Sequence, residues 1–297
     1  MAPAGTLHVV ATPLGNLEDI SPRALKVLSD AALVACEDTR RTRQLLDRFG
    51  IRPPRVISCH RFNERSRLRP VLETLAAGGD VALVSDGGTP GVSDPGALLV
   101  EAALLEGLPV SPVPGPCAAA AAVSISGFPA GGYLFAGFLP ARGATRRRAI
   151  DRLRDETLPL VLYEAPHRIA ATLADLLAAL GDRDVTLMRE ATKMHEEVRR
   201  STLSRLAGGA DEPRERGEFT IVIRGLDEAR RHAPRLTDAE VAARYADLIE
   251  SGTDRREAFR TIVGQSGRPR AEIYAIVRGA GARRGTRTRS RSGGSGN

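Results

Sequence analysis

Short β-branched apolar runs alternate with helical patterns through the first half of the chain. LHVVAT (7–12), ALVACE (32–37), RVISC (55–59), DVALVSD (80–86) and LPVSPV (108–113) have the length and composition of buried strands. Between them, SPRALKVLSDA, TRRTRQLLDRF, ERSRLRPVLETLAAG and a leucine-rich stretch from Gly96 to Glu106 carry helical spacing. A β-α repeat of this kind predicts an α/β unit with mostly parallel strands. In open parallel sheets ligands bind at the carboxyl ends of the strands, so the loops after these strands are where chemistry is to be sought.

From about residue 118 the pattern changes. A small-residue helix, AAAAAVSIS, and a break at GFPAGG lead into the strands YLFAGF (133–138), LPLVLYE (158–164), DVTLMRE (184–190) and EFTIVIRG (218–225), with helices starting near Thr145 and Pro166. This predicts a second α/β domain with a more mixed sheet, closing at Gly225. After a polar linker, DAEVAARYADLIESG, RREAFRTIVGQSG and RAEIYAIVRG read as three short amphipathic helices of a helix-turn-helix-like module, with Gly252 and Gly267 as helix ends. The expected division is 1–118 and 119–225 for the two α/β domains, 226–235 for the linker, 236–279 for the helical module and 280–297 for a tail.

Composition changes this picture in three places. With 297 residues, 42% of them apolar, the chain can bury a core in each domain. It has neither a run of about 20 apolar residues nor a basic-then-apolar start, so a cytoplasmic protein without a membrane segment is expected. The net charge of +7 is concentrated in the tail, where five arginines stand without an acid. Setting those apart leaves 38 basic against 36 acidic residues. A Gly/Ser/Arg tail cannot pack a core; it is either a phosphate-binding arm or a solubilising extension. Cys36, Cys59 and Cys117 form no CxxC pair and read as buried thiols, not metal ligands.

Three loops stand out. Ser85 to Gly96 reads SDGGTPGVSDPG directly after a strand: four glycines let a ligand approach the backbone, and two prolines stiffen the loop. Asp86 and Asp94 suit a ribose hydroxyl or an ammonium, although Asp94 suits a helix cap equally. Pro112 to Cys117 (PVPGPC) follows the fifth strand and opens the alanine-rich helix, with Pro116 at its first position. Ala11 to Leu17 (ATPLGNL) follows the first strand. None fits GxGxxG or GxxxxGK[ST], which argues against NAD-type and NTP-type sites.

These residues resemble the tetrapyrrole-methylase superfamily, and within it the small-subunit ribosomal RNA 2′-O-methyltransferases that act on a cytidine of the decoding region. ATPLGNLEDIS (11–21), CEDTRRT (36–42), SDGGTPGVSDPG (85–96), PGPCAA (114–119), GFLP (137–140), YEAPHR (163–168) and REATK (189–193) look like that subfamily's blocks in order. The resemblance implies two α/β domains with a cleft between them for S-adenosylmethionine, a small C-terminal helical module, and a homodimer. It implies 2′-O-methylation of a cytidine in 16S ribosomal RNA, with the small ribosomal subunit as partner and no metal. The chain departs from the family in reading Gly87-Gly88 where Ala-Gly is frequent and in starting the next helix Pro95-Gly96-Ala97; the tail after Gly279 has no counterpart. Corrin and porphyrin methylases differ at the first loop, so ATPLGNL favours RNA over a tetrapyrrole.

On that resemblance the cofactor is expected at Pro13, Gly15, Asp86, Gly87, Gly88, Thr89, Pro90, Ser93, Pro114, Gly115, Pro116, Cys117 and Ala118. A ribose hydroxyl is a weak nucleophile, so a base or a cation near the acceptor is expected. Glu37, Asp38, Glu164 and Lys193 are the candidates. Asp38 fits an N-cap as well as a base, and Glu164 fits an anchor for the helix at Pro166. Lys193 is one of only two lysines, in a chain that otherwise writes its cations as arginine. Arg40, Arg41, Arg146, Arg147, His167 and Arg168 are the candidates for RNA, the arginine run 142–154 being a solvated face in the bland reading. His195-Glu196-Glu197 lacks the second histidine of HExxH. With 11 Phe and Tyr and no Trp, stacking of bare single strands is not expected, and recognition should lean on phosphate and shape. The alternatives are a small-molecule or protein methylase of the same fold, or a non-catalytic RNA-binding protein.

Overall fold

A computed structural model of the chain describes residues 3–129, 131–209, 211, 216–227, 236–266, 268 and 272–278. The described residues of Met1–Ile125 and Met188–Val198 form one compact unit, and those of Ser126–Leu187 and Arg199–Asn297 another. The linker residues 228–235, Gly267 and the whole tail lie outside the described residues.

The first unit is built on strands β1 (Leu7–Val10), β2 (Leu33–Cys36), β3 (Val56–Ser58), β4 (Val81–Val84) and β5 (Val110–Val113), in the order β3-β2-β4-β1-β5. Every pair is parallel. β2 and β4 are buried throughout, because a parallel sheet is covered on both faces. Side chains alternate with period two: Val34, Cys36, Ala82 and Val84 pack with helices α1 (Pro22–Asp30) and α2 (Thr39–Arg48). Leu33, Ala35, Val81 and Leu83 face α3 (Glu64–Ala76) and α4 (Ala97–Leu105). The strands are shorter than the apolar runs suggest because flanking polar groups leave the ladder. Asp80 accepts a bond from the Thr6 amide at 2.7 Å, and the Ser85 hydroxyl turns to the Gly88 carbonyl at 3.4 Å. Cys36 and Cys59 are buried as expected, whereas Cys117 is only half-buried, since it stands where α5 (Ala118–Ser126) begins.

The second sheet consists of strands β6 (Leu134–Phe138), β7 (Leu160–Glu164), β8 (Asp184–Arg189), β9 (Glu197–Thr202) and β10 (Phe219–Ile223), in the order β6-β7-β10-β8-β9. The sheet is mixed: β6 runs parallel to β7, and β10 runs antiparallel to it. α6 (Gly143–Asp151), α7 (Ile169–Leu180) and α8 (Leu203–Ala207) close its core around Leu160, Leu162, Leu173, Leu176 and Leu203. The strand β9 was not legible in the sequence. It lies at the sheet edge and reads EVRRST, so none of its positions is fully buried and no apolar run marks it.

α9 (Asp238–Glu250) starts with a reciprocal capping box between Thr237 and Glu240, and α10 (Arg255–Gln265) is capped by Asp254. With the helical run 272–278 they enclose Val241, Ile262, Val263 and Ile273. The three expected amphipathic segments are therefore helices, and Gly252 closes the first with φ +90°.

One buried acid ties two helices and the glycine-rich loop together. Glu64, at the start of α3, accepts from the Gly96 and Leu98 amides at 2.9 and 3.0 Å, satisfying the open end of α4. Bonds to a charged group contribute roughly 1.5–3 kcal/mol each. Glu64→Ala should therefore lower stability by about 3 kcal/mol in urea unfolding, with Glu64→Gln losing less. A Glu64→Ala curve overlaying that of the natural chain would reject this role.

Candidate functional site

Adjacent parallel strands β4, β1 and β5 deliver their carboxyl-end loops side by side, and the loops interlock. Thr12 and Gly88 exchange two backbone hydrogen bonds of 2.9 Å, joining the loop after β1 to the loop after β4. The Thr12 hydroxyl donates to the Ser85 carbonyl at 3.2 Å, and the Thr89 hydroxyl donates to the Pro116 carbonyl at 3.1 Å, adding the loop after β5. Gly88 has φ +89°, and a Cβ there would lie 3.2 Å from Leu14 Cδ2. At Gly87 and Gly115 a Cβ would stand 3.2 Å from the Pro13 carbonyl oxygen and 3.1 Å from Ala11 Cβ. The small residues thus serve loop-on-loop packing. Pro13, Gly88 and Pro90 are buried; Gly15, Ser93, Pro114 and Gly115 are exposed, and Pro116, Cys117 and Ala118 are half-buried.

At the ends of neighbouring strands β2 and β4, three acids meet. Asp86 accepts from the Asp38 amide at 3.0 Å and pairs with Arg41 at 3.2 Å. Asp38 accepts from the Arg40 amide at 2.8 Å as the cap of α2 and pairs with the Arg40 guanidinium at 2.9 Å. The bonds from Arg40 hold the Asp38 carboxyl down at about 2. Asp38 is thus the N-cap of α2, one of the two roles that its place after a strand allowed. Glu37 moves the other way: burial, then the charges of Asp86 and Asp94, push its carboxyl above the ordinary range.

The turn after β8 belongs to the same unit. Glu190 and Thr192 adopt the left-handed region with φ 52° and 61°, which is costly for residues with a Cβ. The Thr192 hydroxyl accepts from the Asn16 amide at 3.0 Å, and Glu196 accepts from the Thr192 amide at 2.6 Å. Lys193 pairs with Glu190 at 2.9 Å, and its Cγ lies only 2.2 Å from where a Cβ on Gly15 would stand. The structure thus brings Lys193 to the first loop. Sequence reasoning did not single out Asn16 and Thr192, although both lie inside quoted blocks, because they are 176 residues apart and nothing in their residue types shows that they meet. Among the described residues no His/Cys/Asp/Glu group is placed to hold a metal ion.

The remaining candidates lie in the second unit. Glu164 is buried, accepts from the Thr172 hydroxyl at 2.6 Å and pairs with Arg168 at 3.2 Å. Arg146 is also buried and donates to Asp175, Thr172 and the Pro140 carbonyl at 2.7, 2.8 and 3.1 Å. Arg168 donates to the Leu139 carbonyl at 2.6 Å. These groups brace the GFLP turn against α7. Arg147 and His167 are exposed, and all four basic candidates line one groove.

With this geometry in place, the chain compares closely with known proteins. The model of the Tetrapyrrole (Corrin/Porphyrin) Methylases matches residues 6–207. "Ribosomal RNA small subunit methyltransferase I" of Micromonospora olivasterospora is 44% identical over 286 residues, covering 96% of this chain and 90% of that protein. The protein of the same name from Xylella fastidiosa (strain Temecula1 / ATCC 700964) is 42% identical over 277 residues, covering 92% and 99%. Among solved structures, uroporphyrin-III C-methyl transferase from Thermus thermophilus complexed with S-adenyl homocysteine is 24% identical with TM-score 0.52, covering 73% of this chain and 97% of its own. Diphthine synthase is 20% identical with TM-score 0.55, covering 74% and 90%. No helix among the described residues is long and apolar enough to cross a membrane.

The elevated Glu37 carboxyl gives a prediction with a definite sign. A carboxyl whose folded pKa is raised contributes stability at low pH and loses it as pH rises through the folded value. Glu37→Gln should therefore raise the unfolding midpoint at pH 8 and give no advantage near pH 4, as read by thermal unfolding at the two pH values. A Glu37→Gln midpoint at pH 8 no higher than that of the natural chain would reject the assignment.

Proposed function

The chain belongs to the tetrapyrrole methylase family, and we propose from that premise that it transfers the methyl group of S-adenosylmethionine to ribosomal RNA of the small subunit. The observation that carries this reading is the set of three interlocked loops in a chain similar to ribosomal RNA methyltransferases along nearly its whole length. Its finer form is that the acceptor is the 2′-hydroxyl of a cytidine in the decoding region of 16S ribosomal RNA. ATPLGNL, at the first loop, supports RNA over a tetrapyrrole.

The residues fit the cofactor. Gly15, Pro114 and Gly115 are exposed at the rim of the loops, and a Cβ at Gly91 would meet nothing within 4 Å. Pro13, Gly15, Gly87–Pro90, Ser93 and Pro114–Ala118 would hold it, with Asp86 as the acceptor for its hydroxyl or ammonium hydrogens. S-adenosylmethionine supplies an electrophilic methyl when bound. What the chain adds is orientation and charge. The transfer is an in-line displacement, so rigidly tied loops contribute by alignment. Lys193, seated on Gly15, offers a compact ammonium to the acceptor oxygen as its proton leaves, and Glu37 has the raised proton affinity suited to receive that proton. Arg40 and Arg41 are exposed beside these acids and would contact RNA phosphate. The protein would act in the cytoplasm as a homodimer, for which light scattering at micromolar concentration is the test.

Two measurements decide between this and its rivals. Mass spectrometry of 16S nucleosides from cells with and without the protein should show loss of one 2′-O-methylcytidine. An unchanged nucleoside profile would favour a small-molecule or protein acceptor. Isothermal titration should detect S-adenosylmethionine binding, which a non-catalytic RNA-binding protein lacks. Gly88→Val, forced to φ +89° against Leu14, should weaken that binding by at least roughly tenfold, about 1.4 kcal/mol. Unchanged affinity in a folded variant would place the cofactor elsewhere. Lys193→Met should lower kcat by roughly 100-fold while cofactor affinity stays nearly constant. A parallel loss of cofactor affinity would assign Lys193 to loop support alone.

A further inference from the structure

The second unit holds a groove of about 1490 Å³, lined by α6, by α7 and by the C-terminal helices. Ten of its lining residues are arginines and two are aspartates, of which Asp175 is already bonded to Arg146. α6 contributes the exposed Arg147 and Arg148, and α10 contributes the exposed Arg255, Arg256 and Arg260. Arginines from two distant parts of the sequence therefore converge on one concavity. Their summed field favours a polyanion over any neutral or basic partner.

The same groove carries aromatic surface. Tyr245, Phe259 and Tyr274 line it. The rings of Phe259 and Tyr274 meet edge to face at 6.1 Å, and the Arg278 guanidinium lies 5.7 Å from the Tyr274 ring. Tyr274 is 55% exposed, so part of its ring is open to a ligand in the groove. An A-form duplex presents phosphates and 2′-hydroxyls outward and keeps its base faces stacked inside, so it would leave these rings unused. A single strand offers phosphates to the arginines and base faces to the rings.

We propose that this groove seats a single-stranded segment of RNA, with its phosphates on Arg147, Arg148, Arg255 and Arg256 and a base against Tyr274. The inference deepens the methyltransferase reading and rests on it for the identity of the polyanion. It departs from the expectation that recognition leans on phosphate and shape without base stacking. Eleven Phe and Tyr in 297 residues is a low average, but three of them gather in this one groove.

The test is fluorescence anisotropy with the full chain, using a short labelled single-stranded RNA and a blunt duplex of the same sequence. The single strand should bind at least roughly fivefold tighter. The triple variant Arg147→Glu, Arg148→Glu, Arg255→Glu should weaken single-strand binding by at least roughly tenfold and reduce the slope of log affinity against log salt by about 0.7 per lost phosphate contact. These side chains are exposed, so a native circular dichroism spectrum is expected. Tyr274→Ala should weaken binding by roughly fivefold or more without changing the salt slope, and Tyr274→Phe should restore it. The arginine tail is present in every variant, so differences between variants report on the groove. Unchanged affinity and slope in the triple variant would overturn the proposal, as would a duplex bound as tightly as the single strand. Titration of each variant with S-adenosylmethionine keeps the two readings apart. If the natural chain binds RNA in the groove yet no cofactor, the methyltransferase reading fails and the groove stands. If it binds cofactor while the groove variants bind RNA normally, the reverse holds.

Discussion

The two hydrogen bonds between Thr12 and Gly88, each 2.9 Å long, join loops that leave different strands of one parallel sheet. A loop of glycines and prolines standing alone would sample many conformations, and ordering it on a ligand would cost entropy. Here the ordering is done in advance by the chain itself. The bridge fixes the loop after β4 to the loop after β1, and Thr89 fixes it to the loop after β5. Glu64 holds its far end at α4. A backbone carbonyl or hydroxyl bonded to a neighbouring loop can accept only such small residues as Gly87, Gly88 and Gly115 beside it. The composition that first marks these loops as ligand-binding is therefore also what allows them to lock.

Much of this was legible in the sequence because it obeys local rules. Short continuous apolar runs marked the parallel strands, and amphipathic spacing marked the helices between them. What was not legible depends on contacts distant in sequence. The strand β9 has no apolar run because it lies at a sheet edge. The contact of Lys193 with Gly15 spans most of the chain, and the strained φ values of Glu190 and Thr192 have no signature in residue type. Asp38 shows the limit of residue type as a guide: a carboxylate after a strand suits a cap and a base equally, and only its bonds to Arg40 decide.

Arginine makes the same point in the second unit. Arg146 and Arg147 are neighbours in one run, yet a helix turns successive side chains by about 100°, so one faces inward and the other outward. Arg146 satisfies its donors on Asp175, Thr172 and Pro140, and with Glu164 and Arg168 it forms a buried network around the GFLP turn. Breaking one member of such a network leaves the others uncompensated, so its worth lies in fixing the turn. Arg147, turned outward, is exposed on the groove side of α6.

Glu37 and Asp38 complete the contrast at the end of β2. They are consecutive and of the same chemical kind, yet their proton affinities move in opposite directions. Asp38 is solvated and held by Arg40, so it stays ionised and serves geometry. Glu37 is partly withdrawn from water with Asp86 and Asp94 nearby, so a proton on it relieves both burial and repulsion. Neighbouring groups whose environments drive their proton affinities apart mark where acid and base roles separate in enzymes. The same Asp86 that raises Glu37 accepts from the Asp38 amide and neutralises Arg41. Asp86 therefore fixes the start of α2 and sets the charge around Glu37 at once, so loop geometry and the proton affinity of Glu37 are linked through one carboxylate.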